Sequence, residues 1–239
     1  MTFWRIARSV VFAAAALVAT GQATGQATGQ AENRASSRNW ASTVSETEGG
    51  HLIGNPQAKV KLTEYISYTC PHCAQFARDG EPALKLGYIA KGQVNLEIRH
   101  LLRDPVDLTV AMLANCGPAS KFPQNHAAFM LGQNDWIAPM SEATAAQRQR
   151  WTTGDMAARR RAIAADLGFY PIMERRGYSR AEADRCLADE ATAERMAETA
   201  TADWKKPGIS GTPAFAIDGA VLTGTHSWSM LQPQLAARF

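Results

Sequence analysis

Apolar positions crowd the run Val60-Lys61-Leu62-Thr63-Glu64-Tyr65-Ile66-Ser67, which predicts a central strand over residues 60–67. Glu64 interrupts it. That residue reads either as an exposed carboxylate on an alternating strand or as a buried acid whose pKa burial would raise. Upstream, His51-Leu52-Ile53-Gly54-Asn55-Pro56 reads as an edge segment closed by a turn. Downstream, Gln93-Val94-Asn95-Leu96-Glu97-Ile98-Arg99-His100 alternates polar and apolar as a half-buried strand does, with His100 a polar strand end rather than a ligand. Near the end of the chain, residues 209–217 give a loop and a strand. Asp218-Gly219 then supplies a hairpin turn, and residues 220–223 the return strand. A closing helix over 227–238 is expected to present Met230, Leu231 and Leu235 to the core.

Between His100 and Gly208 the period changes to that of helices. Residues 107–116 carry Leu108, Met112 and Cys116 four apart, with Asp107 as the expected N-cap. Further helices are expected over 124–135, over 153–168 with Gly168 closing it, over 179–188 and over 191–204. Ser179 with Glu182 three residues on is a capping box, and Met196, Ala200 and Trp204 share one face of the last helix. The pattern is α/β, with a helical stretch set inside it.

The N-terminus is different. Arg5 and Arg8 precede the short apolar run Val10-Val11-Phe12-Ala13-Ala14-Ala15-Ala16-Leu17-Val18-Ala19, and three Thr-Gly-Gln-Ala copies follow. Residues 1–31 therefore read as a secretory signal, with cleavage after Ala23, Ala27 or Ala31. Residues 32–50 read as a flexible linker rich in Ser, Glu, Asn and Arg. The domains expected are 51–102 and 207–239 for a split α/β domain, and 103–206 for a helical insertion. The formal charge of +3 falls to nearer +1 without Arg5 and Arg8. No basic stripe with interleaved aromatics appears, which argues against nucleic acid.

Four cysteines remain to be placed. Cys70-Pro71-His72-Cys73 follows the central strand, so its helix would start within the motif and run on through Arg78. Free backbone N–H groups and the positive dipole end would then face Cys70 and favour its thiolate. Pro71 suits a first helical turn, and His72, if protonated, would add a second positive charge. Zinc would need a second such pair, and haem attachment a His where Ala74 stands, so no metal and no cofactor is expected. Redox chemistry is the reading. Cys116 and Cys186 fall at core-facing positions of the helical stretch. They are two buried thiols or a structural disulfide, and an oxidising compartment favours the second.

Glu64, Cys70-Pro71-His72-Cys73 and Gly211-Thr212-Pro213 together resemble the DsbA family of periplasmic thiol-disulfide oxidases, from about Gly54 to Phe239. The resemblance implies a thioredoxin-like fold, a mixed sheet flanked by helices, with an inserted all-helical domain. It implies Cys70 as nucleophile, Cys73 as its disulfide partner, His72 as the tuning residue, Glu64 as a buried acid, and Pro213 as a cis-proline that with Thr212 meets the substrate. It further implies unfolded or reduced secreted proteins as substrates, a membrane redox partner for reoxidation, a periplasmic location and a monomer. Thr212 stands where the best-known oxidase has an aliphatic residue. The alternatives are therefore an isomerase or reductase of the same superfamily, and a non-catalytic binding protein or chaperone whose activity would survive Cys70→Ser.

Overall fold

The computed structural model describes residues 1–2 and 39–239; the rest of the expected signal and the first part of the expected linker lie outside the described residues. Within the unit formed by residues 38–239, six strands make one sheet: β1 (Val44–Glu46), β2 (Gly50–Gly54), β3 (Val60–Ile66), β4 (Val94–His100), β5 (Ala214–Ile217) and β6 (Ala220–Val221). Their order is β1-β2-β4-β3-β5-β6. β3 and β4 pair in parallel and the other neighbours antiparallel. A parallel pair needs a crossover, supplied here by α1 (Pro71–Asp79), α2 (Glu81–Leu84) and a π-helical turn over Lys85–Ile89.

β3 alternates at its start and is buried on both faces from Glu64 to Ile66. The position that interrupts the apolar run is thus an interior one. Part of the expected linker is ordered: Trp40–Ser42 forms a 3₁₀ turn and β1 pairs with β2. β2 is therefore an inner strand and not the expected edge. A strand of three residues is too short to show a period. At the other end, Asp218 and Gly219 take positive φ, 51° and 84°, as a tight hairpin turn requires.

Eight helices occupy the interval between β4 and β5: α3 (Pro105–Ala114), α4 (Phe122–Leu131), α5 (Gln133–Ser141), α6 (Ala145–Thr152), α7 (Met156–Asp166), α8 (Phe169–Arg175), α9 (Arg180–Leu187) and α10 (Glu190–Trp204). Asp104, not Asp107, caps α3: its side chain accepts the Asp107 N–H at 2.9 Å, and Pro105 takes the first helical position. The helix expected over 124–135 divides at Gly132 into α4 and α5. The helix expected over 153–168 is α7, starting at Met156, and Gly168 closes it as expected: it follows the Leu167 C-cap in the left-handed conformation, at φ 71°, and leads into α8. The periodicity missed α6, whose single buried residue is Trp151. α9 opens on the Ser179–Glu182 capping box.

Cys116, just after α3, and Cys186, in α9, form a disulfide with Cα atoms 5.7 Å apart. The closing helix α11 (Trp228–Ala236) buries Leu231 and Leu235, whereas Met230 is 47% exposed. One residue step turns it about 100° away from the i, i+4 face that the leucines share. A continuous apolar cluster joins the sheet (Ile66, Leu96, Phe215) to the insertion (Leu113, Phe129, Ile163), so the helical stretch is packed onto the sheet through one core. His100 is buried in it, its Nε2 2.9 Å from Asn115 Nδ2; burial pushes its pKa down to about 3 and keeps the ring neutral.

Candidate active site

The buried end of β3 runs into the bend Ser67-Tyr68-Thr69, and Cys70 follows as the N-cap of α1. Its backbone is extended (φ −94°, ψ 118°), its side chain makes no capping bond, and Pro71 occupies the first turn. The sulfur is left beside the N–H groups that open the helix. Cys70 and Cys73 are both free thiols, 3% and 1% exposed.

The two sulfurs differ in acidity. Cys70 is lowered from 9.0 to about 5. The Cys73 thiol, donating to it, has the largest effect; burial opposes; Thr212 and the backbone N–H groups of Cys73 and His72 add to the lowering. Sγ of Cys70 also lies 3.1 Å from the Thr212 carbonyl oxygen. A carbonyl accepts a proton and gives none, so this contact belongs to the neutral thiol and opposes the shift. The donors outnumber it. Cys73 goes the other way: burial, the Cys70 sulfur and Glu64 hold it well above 9.0, against one N–H from Ser67 at 3.5 Å.

His72 is exposed, and what it contributes to Cys70 is its backbone N–H. The ring charge does not figure among what lowers the thiol: the Cys73 thiol leads, and the main-chain donors at the start of the helix add to it. Glu64 is fully buried and neither carboxylate oxygen has a hydrogen-bond partner among the described residues. Burial, with Glu81 adding to it, holds its carboxyl well above the usual range and so in the neutral acid form. Glu81 accepts from His126 Nε2 at 3.0 Å, and His126 Nδ1 lies 3.0 Å from the Tyr68 hydroxyl.

Across from the cysteines, the Thr212–Pro213 bond is cis. The Pro213 carbonyl accepts from His226 Nδ1 at 2.7 Å, which fixes the proton of that ring on Nδ1. The fold thus gathers Glu64, Cys70, Pro71, His72, Cys73, Thr212 and Pro213 at one end of β3, with Cys116–Cys186 elsewhere in the insertion. Sequence patterns passed over Gln133, the buried first residue of α5. It donates to the Tyr68 carbonyl at 2.6 Å and the Cys70 carbonyl at 3.0 Å. They also passed over the grip of Asp104 and Asp107 on the bend: they made Asp107 the cap of α3, and the Asp-Pro pair at 104–105 is the signal that could have moved the cap to Asp104. Among the described residues no three His, Cys, Asp or Glu side chains are arranged to hold a metal ion.

The thioredoxin family model matches residues 46–237. The solved structure of a protein-disulfide isomerase from Novosphingobium aromaticivorans is 48% identical, covers 80% of this chain and 97% of its own, and superposes with a TM-score of 0.76. α-DsbA1 of Wolbachia pipientis shares the fold at 23% identity and a TM-score of 0.58, over 78% of this chain and 88% of its own. Among curated proteins, a Rickettsia conorii chain named "Putative protein-disulfide oxidoreductase" is 31% identical over 74% of this chain and 55% of its own. A Rickettsia prowazekii counterpart is 30% identical over 70% and 54%. The chain spans about half the length of these curated relatives.

Proposed function

Because the chain belongs to the thioredoxin family, we propose that it is a protein thiol-disulfide oxidoreductase of the DsbA type. It acts as an oxidase, passing the Cys70–Cys73 disulfide to reduced secreted proteins in the periplasm. The signal pattern of residues 1–31 supports the location. The observation that carries the chemistry is the split between the thiols, Cys70 at about 5 and Cys73 above 9.

In the oxidised protein a substrate thiolate attacks Cys70 Sγ. The Cys70–Cys73 bond breaks, its electron pair goes to Cys73, and that sulfur takes up a proton, with Glu64, the buried neutral acid whose charge would act on Cys73, as the proposed relay. The substrate is now held as a mixed disulfide on Cys70. Its second thiolate attacks the substrate sulfur of that bond, and Cys70 leaves as the thiolate. The substrate has lost two electrons and the protein has gained them. A low pKa makes Cys70 a good leaving group and stabilises the reduced protein, so the disulfide is oxidising. Reoxidation then falls to a membrane redox partner.

A trapping experiment tests this. Cys73→Ser, added to reduced periplasmic extract with a mild oxidant, should accumulate mixed disulfides at Cys70 alone, and Cys70→Ser should abolish turnover. Turnover that survives Cys70→Ser would leave only a binding role. A second reading, isomerase, is favoured by Thr212 and by the 48%-identical protein-disulfide isomerase. Rescue of a scrambled substrate faster than oxidation of a reduced one would select it.

A further inference from the structure

We infer that Asp107, the third residue of α3, is a positioning residue for the thiol chemistry: its carboxylate holds the Ser67–Tyr68 bend so that the Ser67 N–H stays on Cys73 Sγ. This rests on the exchange reading above. Asp107 is 1% exposed, and its carboxylate accepts three hydrogen bonds: Ser67 Oγ–H at 2.6 Å, Tyr68 N–H at 2.7 Å and Arg103 N–H at 3.0 Å. At the third position of a helix an acidic side chain normally turns back to its own N-cap N–H. Here it reaches across to the loop before the cysteines. Asp104 backs it, accepting from Thr69 Oγ1 at 2.8 Å with its other oxygen on the Asp107 N–H. Two carboxylates of the insertion thus grip three successive residues of the active-site bend.

Ser67 is the link. Its hydroxyl is on Asp107 and its N–H is the one donor on Cys73 Sγ among the described residues, at 3.5 Å. Burying a carboxylate is costly unless it is well hydrogen-bonded. Burial pushes Asp107 up to about 7, while Ser67 and the two backbone N–H groups restrain it. A helix cap alone would not need such a group, since Asp104 already caps α3.

The affected step is the second half of dithiol oxidation. When the reduced protein meets an aromatic disulfide, the Cys70 thiolate attacks it, forming a mixed disulfide and releasing one aryl thiolate. Cys73 then loses its proton and attacks Cys70 Sγ, closing the protein disulfide and releasing the second aryl thiolate. A hydrogen bond to a thiolate is worth about one to two decades of acidity. Nucleophilicity recovers somewhat less than half of that.

The experiment follows both release phases by stopped-flow absorbance, in the unaltered protein, Asp107→Asn and Ser67→Ala, alongside thermal melts. Asp107→Asn should slow the second, unimolecular phase by about five- to tenfold and leave the first within about twofold. Ser67→Ala, a milder change, should slow the same phase by less. Second phases unchanged in both variants would overturn the proposal. So would equal slowing of both phases in Asp107→Asn in step with a lost melt while Ser67→Ala behaves as unaltered, since that is a scaffold effect. If the unaltered protein shows neither phase, the exchange reading itself fails and takes this inference with it.

Discussion

Cys70 carries the redox argument because main-chain and thiol donors converge on it while burial pulls the other way. Its folded value of about 5 lies below the 9.0 of a free thiol. A depressed folded pKa stabilises the reduced fold fully above the unfolded value, and that contribution is lost as pH falls through the folded one. At pH 7 it comes to about 3 kcal/mol, present in the dithiol form and absent from the disulfide. Cys73, neutral at pH 7 folded or unfolded, adds nothing to that difference. Alkylation of the reduced protein by iodoacetamide should therefore mark Cys70 alone, with its rate half-maximal near pH 5 and flat from pH 6 to 8. A midpoint near 9, or equal labelling of Cys73, would mean that the thiols are not split.

At the scale of elements, α1 and α3 meet on the bend between β3 and Cys70, and the disulfide secures α3 from the far side through Cys116. Closing a 70-residue separation is worth about 4 kcal/mol on the chain-entropy account. Cys116→Ala with Cys186→Ala should lower stability by up to that amount in urea titrations, while the Cys70–Cys73 couple keeps its potential. A shifted potential would mean that the bridge shapes the site and not only the insertion. The elements also show what a sequence displays. Strand β3 was legible as a crowded apolar run and β4 by its alternation, and α9 because its capping box is local chemistry. β1 and α6 were not: the first has three residues, the second buries one. The α3 cap was misplaced by one turn because Asp104 and Asp107 are both good caps, and only the fold shows Asp107 turned to another loop.

For the whole molecule, the reactive pair was legible because Cys70-Pro71-His72-Cys73 is contiguous, and Glu64 and Thr212-Pro213 because they keep their places relative to it. Gln133 and the grip of Asp107 were not, because they meet backbone groups 39 and 65 positions away, and no pattern in a chain marks which carbonyl or N–H a side chain will meet. On the oxidase proposal, Cys70 acidity is what makes this couple oxidising. Two well-characterised couples set the scale: thioredoxin, with a thiol pKa of about 7 and a potential near −270 mV, and DsbA, near −120 mV. Lowering the thiol from ~7 to ~5 stabilises the reduced form at pH 7 by about 2 kcal/mol, which is ~50 mV. The measurement is the Cys70–Cys73 potential, by equilibration in glutathione buffers with alkylation and peptide mass spectrometry. A potential of about −220 mV or more oxidising is predicted. One at or below about −270 mV would contradict it, and would describe a reductant kept reduced by a donor.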